Sequence, residues 1–346
     1  MRARLPAAFL VSTSSPHFGR GDRLAAALAA CAALVVSCGD APVEDPVPQC
    51  GLVALDPADG AEVSWRSSVT VTLDETDTEA HVEVLDADGV KIAGFNVNEG
   101  AVIRFTPESP LAPDTTWTLK VHACDGVFSS TFSTSSVGRP VSTPSSLEDA
   151  TFALDLSDGT LREPAGAEAV LGVLLTSFPL LAGVRSVGEG TVEMIGAVGV
   201  GDPRVQDPCS RTIDMPTFVF ENPWFSVDMR SFAIPYEDGE IEVLSATLSG
   251  TFSADGQEIE ELAFKGTLDT RPLVPVFDDS ADAPASAVCD LLSSGYGVSC
   301  VDCPGTAGPY CVDLDIAGAR GARIDGTISP RTLDDIDAEA CAEVER

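Results

Sequence analysis

Short runs in which apolar and polar residues alternate recur along the chain from about residue 50 onward. Val69-Thr-Val-Thr-Leu73, His81-Val-Glu-Val-Leu85, Ala101-Val-Ile-Arg-Phe105 and Thr116-Trp-Thr-Leu-Lys-Val121 largely keep a period of two. That period sends successive side chains to opposite faces of a strand, so each run predicts a strand with one buried face. Asp86-Ala-Asp88-Gly89, between two such runs, predicts a hairpin turn in which glycine takes the positive φ. Closely spaced strands and turn signals over residues 50–136 predict an all-β domain of sandwich type.

Residues 137–146, rich in Ser, Pro and Thr, read as a linker. Strands resume in residues 147–346 with Thr151-Phe-Ala-Leu-Asp155 and Thr191-Val-Glu-Met-Ile195. Residues 243–253 and 258–269 predict a hairpin around Asp255-Gly256. Leu244, Leu248 and Phe252 share one face of its first strand, and Leu262, Phe264 and Leu268 one face of its second. Ile259 is out of phase with Leu262, which predicts a bulge near the turn. Residues 168–184 carry no charge after Glu168, and Val170, Val173, Leu174 and Phe178 fall at helical spacing. A short buried helix ending at Pro179, with a strand from Leu180, is the reading. Residues 283–292 look helical, Val312-Asp-Leu-Asp-Ile316 reads as a strand, and Ser329-Pro330 predicts the start of a helix to Glu345.

One stretch breaks the alternation. The run Leu24-Ala-Ala-Ala-Leu-Ala-Ala-Cys-Ala-Ala-Leu-Val-Val36 is uncharged, follows Arg20 and Arg23, and leads to Ser37-Cys38-Gly39. It falls short of the roughly 20 apolar residues of a membrane span. A cationic flank, a short apolar core and a small residue before the cut predict a secretory signal over residues 1–37. With cysteine directly after it, Val35-Val36-Ser37-Cys38 resembles the lipobox of bacterial lipoproteins. The resemblance implies a diacylglycerol on Cys38, cleavage before it and acylation of the new amine. Gly39 in the next position then implies an outer-membrane destination. Acyl burial contributes about 0.8 kcal/mol per methylene, so several chains hold where one would not. Residues 38–49, with Pro42, Pro46 and Pro48, form an extended tether.

Asp56-Pro-Ala-Asp-Gly-Ala61 and Leu111-Ala-Pro-Asp-Thr-Thr-Trp-Thr-Leu119 resemble bacterial Ig-like domains, the second stretch being similar to the corner motif of fibronectin-like sandwiches. Trp117 stands where tyrosine is usual. The phenol's backbone hydrogen bond is then lost or replaced by the indole N–H. The resemblance implies a sandwich over residues 50–136 and a spacer or binding scaffold, with no activity attached. Residues 147–346 resemble uncharacterised secreted lipoproteins with a β-rich body and a Cys-rich tail. The expected fold is therefore mainly β: an Ig-like β-sandwich followed by a larger β-rich domain with a few short helices.

Charge narrows the partners. Residues 38–346 hold 16 basic and 53 acidic side chains, a formal −37. Nucleic acid and anionic headgroups would be repelled. Contact with the membrane is expected only through the lipid on Cys38, and the remaining partner classes are another envelope protein or a glycan. After Cys38 come eight cysteines, Cys50, Cys124, Cys209, Cys289, Cys300, Cys303, Cys311 and Cys341. An even set in an oxidising compartment reads as disulfides. Cys50 and Cys124 bracket the first domain and would close a loop of about 75 residues, stabilising it by roughly 4 kcal/mol in the chain-entropy model. The other six allow 15 pairings. Cys300-Val-Asp-Cys303 also fits a redox pair, or half of a zinc site with Cys311 and Cys289, but both need reduced thiols.

Little else points to chemistry. His17 lies in the leader, and His81 and His122 lie on or beside predicted strands, where a metal pair is conceivable but half-buried histidines are the ordinary case. No G-x-S-x-G, S-x-x-K, H-E-x-x-H or P-loop pattern occurs. The acidic groups at 74–79, at Asp278, Asp279 and Asp282, and at Asp334, Asp335 and Asp337 lack EF-hand spacing and read as solvated charge. Phe218, Phe220, Trp224, Phe225, Phe232 and Tyr236 form the densest aromatic group, expected mostly in the core. The chain reads as a non-enzymatic, lipid-anchored envelope protein without catalytic residues, cofactor or metal centre. Two alternatives remain: a carrier of a small apolar ligand in a cavity of the 147–346 domain, and a hydrolase using carboxylates alone.

Overall fold

The computed structural model describes residues 50–168, 180–201, 204–236, 239–277, 283–336 and 341. Cys38, the apolar run, most of the predicted 168–178 helix and most of the predicted C-terminal helix lie outside the described residues. The architecture is mainly β, with several sheets and few short helices.

The first lobe is built from β1 (Leu52–Asp56), β2 (Ala61–Val63), β3 (Val69–Leu73), β4 (His81–Leu85), β5 (Gly94–Glu99), β6 (Val102–Pro107), β7 (Thr116–Ala123) and β8 (Gly126–Thr134). They form two sheets, β1-β3-β6-β5 and β2-β8-β7-β4. The period-two pattern explains the core between them. Val69, Val71, Ile103 and Phe105 from one sheet meet Val82, Val84, Trp117, Leu119 and Val121 from the other, all buried. Each such side chain contributes about 1.5–3 kcal/mol of burial. The Trp117 indole N–H donates to Thr134 Oγ1 (3.4 Å), and that hydroxyl lies 2.6 Å from the Ala112 carbonyl. The indole N–H is thus linked to the backbone through the Thr134 hydroxyl.

Asp86–Gly89 does turn, with Gly89 N–H donating to Asp86 O at φ +77°. It does not make a hairpin of β4 and β5: beyond a single bridge, Leu85 to Lys91, the chain crosses to the other sheet. Asn96 of β5 then bonds the backbone of β4 at Val82, and Asn98 the carbonyl of Ala80 just before it. Their amides occupy backbone groups that an open sheet edge would offer to another chain.

The second lobe comprises β9 (Thr151–Asp155), β10 (Thr160–Glu163), β11 (Leu180–Gly188), β12 (Thr191–Val200), β13 (Val205–Gln206), β14 (Ile213–Asp214), β15 (Phe218–Glu221), β16 (Trp224–Tyr236), β17 (Gly239–Phe252), β18 (Glu258–Asp269) and β19 (Cys311–Ile324). The sheet runs β19-β18-β17-β16-β15-β12-β11-β9, and β9 pairs back onto β19, closing a barrel. Closure gives β9 and β19 ladder partners on both sides, while the short β10 adds to β19, and β13 and β14 to β12. The barrel interior is filled by side chains, Phe152, Phe225 and Phe252 among them, each fully buried. The rings of Phe152, Phe220 and Phe225 sit 5.0–6.0 Å from that of Phe252. A cavity of about 20 Å³ remains beside Met229, Phe232 and Phe264. A second hollow, about 260 Å³, lies by Thr151, Leu181, Gln206 and the 324–328 loop.

The β17–β18 hairpin carries the bulge near the turn, at Glu261 (φ +50°), where pairing shifts between Thr251–Glu260 and Ser249–Ala263. A second shift, at Ser245 (φ +49°), corrects the face assigned to Leu244. Val243 and Ala246 point into the core on either side of it, and Leu244 is only half-buried. One extra residue reverses the alternation.

The helix expected at 283–292 lies later, as α1 (Ala287–Tyr296), ended by Gly297 at φ +70°. No helix starts at Ser329-Pro330. Ser329 exchanges two hydrogen bonds with the Gln206 side chain, and Thr212 N–H donates to Arg331 O. Backbone groups engaged sideways are not available to a helix. The first turn there is the short 3₁₀ segment Leu333–Asp335, capped by Thr332.

Both lobes belong to one compact unit. The predicted linker is packed between them. Val141 N–H and C=O bond the Asn222 side chain (2.8 and 3.1 Å), Gly138 lies against the Trp65 ring at φ +104°, and Val141 and Leu147 are buried in the second core.

Candidate functional site

β4 turns Val82 and Val84 into the core, so His81 and Glu83 share its outer face. β7 runs antiparallel beside it, setting His122 opposite His81 and Lys120 opposite Glu83. The two imidazoles stack with planes 2° apart and centroids 4.5 Å apart. His122 Nε2 lies 3.3 Å from Glu83 Oε2, and Lys91 Nζ donates to Glu83 Oε1 at 3.0 Å. The Lys91 hydrogen bond, its charge and His122 together hold the Glu83 carboxyl below the usual carboxylate range, against a smaller effect of burial. His81 Nδ1 lies 3.2 Å from the Glu79 carbonyl oxygen. One ligating atom from each of His81, Glu83 and His122 comes within 4.8 Å of the others, and all three residues are half-buried. A His81–His122 pair is conceivable from the sequence, but Glu83 as its third member is not singled out there. Its signal was legible: His-x-Glu within a strand places both side chains on one face.

The eight cysteines from Cys50 to Cys341 form four bridges, Cys50–Cys124, Cys209–Cys341, Cys289–Cys300 and Cys303–Cys311. Cys300 and Cys303 therefore have different partners. α1 carries Cys289 toward Cys300, and the bridge between Val301 and Cys311 brings Cys303 beside Cys311. Asp269 lies close to Cys303 and Cys311, but bridged sulfurs offer no thiolate to a metal. Its carboxylate is gripped instead by the Arg271 guanidinium (2.6–3.1 Å).

Acidic residues of the 74–79 run serve the backbone. Asp74 accepts from Gly51 N–H and Asp77 from Cys124 N–H, at 2.6 and 2.8 Å. Asp335 caps Thr332, while Asp278, Asp279, Asp282 and Asp337 lie outside the described residues. Of the aromatic group, Phe218, Phe220, Phe225 and Phe232 are core. Trp224 faces outward under the Arg66 guanidinium, 3.9 Å from its ring centroid, and Arg66 also pairs with Glu221. Beside it Ser64 Oγ donates to Glu261 Oε2. Burial pushes the Glu261 carboxyl up, only partly offset by Ser64 and the Arg66 charge. These contacts fasten the first lobe to the barrel.

No family model matches the chain, and no curated protein does. Among solved structures, an L,D-transpeptidase from Mycobacterium smegmatis aligns with 58% of this chain and 76% of its own, at 16% identity and a TM-score of 0.23. L,D-transpeptidase 1 of Mycobacterium tuberculosis aligns with 58% of this chain and 78% of its own, at 16% identity and a TM-score of 0.21. At such TM-scores the likeness carries nothing over to the fold or chemistry of this chain.

Proposed function

We propose that this chain is a lipid-anchored envelope protein of bacteria, with a structural role or one in recognising another envelope protein or a glycan. The first lobe serves as an Ig-like module near the membrane and the barrel as the larger, disulfide-stapled domain. The observation that carries the reading is the cysteine pairing. Bridges among themselves use all eight cysteines from Cys50 to Cys341. Of the ten in the sequence, that leaves Cys31 in the apolar run and Cys38 at the lipobox position. Disulfides on this scale belong to an oxidising compartment, which a secretory signal reaches.

The filled barrel supports a scaffold over a ligand carrier. The cavity beside Met229, Phe232 and Phe264 holds about 20 Å³ and the hollow by the 324–328 loop about 260 Å³, whereas small-molecule sites take roughly 300–1,000 Å³. Burial raises the carboxyls of the adjacent Glu260 and Glu261, and Glu261 is tied to Ser64 where the lobes meet, which supports a structural place for it.

Metabolic labelling with palmitate in a bacterial host tests the anchor. The wild-type chain should incorporate label and partition into detergent, and Cys38→Ala should do neither. Undiminished labelling of Cys38→Ala would overturn the assignment.

A further inference from the structure

We propose that His81, Glu83 and His122 form a binding site for a divalent transition-metal ion of the zinc class, on the outer face of the β4–β7 pair. The strand geometry supplies the ligand set. Positions 81 and 83 share one face of β4 by the period of two, and residue 122 is the cross-strand partner of residue 81. Two imidazoles and one carboxylate form a donor set suited to zinc, while calcium and magnesium prefer oxygen alone.

The distances leave a short closing movement. Zinc sits about 2.0–2.2 Å from imidazole nitrogen or carboxylate oxygen, which puts neighbouring ligand atoms roughly 3.3 Å apart. Here the donor atoms already lie within 4.8 Å of one another. The two rings are stacked with planes 2° apart, so the closing movement is a rotation of the imidazoles about their side-chain bonds that unstacks them and turns a nitrogen lone pair of each toward the ion.

A second feature is the outer contacts of the ligands. His81 Nδ1 faces the Glu79 carbonyl. As an N–H donor there, the ring keeps its lone pair on Nε2, the arrangement that orients metal-bound histidines. Glu83 Oε1 keeps the Lys91 bond while Oε2, now shared with His122, turns to the ion. His122 coordinates through Nε2 and carries its remaining proton on Nδ1. The site is half-buried and on an edge strand, so water completes the coordination. Lys91, and Lys120 opposite Glu83, oppose the ion's charge.

Calorimetric titration of the chelator-treated full chain with zinc chloride tests this, with millimolar calcium present to occupy exposed carboxylates. One equivalent of zinc should bind. His81→Asn, His122→Asn and Glu83→Gln should each weaken binding by at least about tenfold, the lower end of what losing an outer partner alone costs. Lys91→Met should strengthen it. X-ray absorption of the loaded protein should show two imidazoles in the zinc shell. Zinc should also raise the melting temperature of wild type but not of His122→Asn, a readout that separates a lost site from a lost fold. No saturable binding in the presence of calcium, or equal affinity in wild type and His122→Asn, would overturn the site. Either result leaves the palmitate test of the anchor unaffected.

Discussion

The Ser64 hydroxyl donates a hydrogen bond to Glu261, 2.7 Å away, joining residues 197 positions apart in sequence. Ser64 follows β2 in the first lobe, and Glu261 is the bulged residue of β18 in the barrel. The positive φ at Glu261 interrupts the ladder, and its carboxylate meets Ser64 beside Arg66.

That contact predicts a pH dependence. Burial raises the Glu261 pKa in the folded chain, with Ser64 and Arg66 opposing the shift. A carboxyl with a raised folded pKa favours folding below its unfolded pKa, and the gain is lost as pH rises through the folded value. Glu261→Gln should therefore gain stability relative to wild type near neutral pH, with the gap closing as pH falls toward 4. Ser64→Ala should cost about 1 kcal/mol at neutral pH, because it strips a partly buried carboxylate of its donor. Urea denaturation of both variants across this pH range measures the two effects. An equal offset for Glu261→Gln at every pH would refute the linkage.

Non-reducing peptide mapping should recover Cys50 with Cys124, Cys209 with Cys341, Cys289 with Cys300 and Cys303 with Cys311. Replacing both Cys50 and Cys124 by serine should cost about 4 kcal/mol, as expected for a loop of their separation. A fragment joining either one to a cysteine beyond residue 200 would contradict this pairing.

Phe252→Ala should be among the most damaging single changes in the barrel. The ring is fully buried and packs against three other phenylalanines. Its removal should cost about 3–5 kcal/mol through lost burial and the cavity left behind. Thermal unfolding reads this directly; a loss below about 1 kcal/mol would mean that the cluster collapses to fill the space.

The sequence by itself determined what depends on neighbours along the chain. Alternation in Val69–Leu73, His81–Leu85 and Thr116–Ala123 sets which side chains enter a core, because a strand's period is two wherever the strand lies. Ile259 and Leu262 revealed the Glu261 bulge in the same local way. Leu244 was misplaced because the shift at Ser245 leaves no apolar signature, its cause being the pairing of β17 with its neighbours. The strand of β12 extends to Val200, beyond its alternating part, because buried residues on both faces erase the period. Tertiary structure alone decided closure of the barrel, since pairing of β9 with β19 joins segments more than 150 residues apart. It also chose one cysteine pairing among the 15 that six cysteines allow. The meeting of His81 and His122 belongs to it too. Each is a plain strand histidine in sequence, and only the β4–β7 register places the second beside the first, with Glu83 within reach.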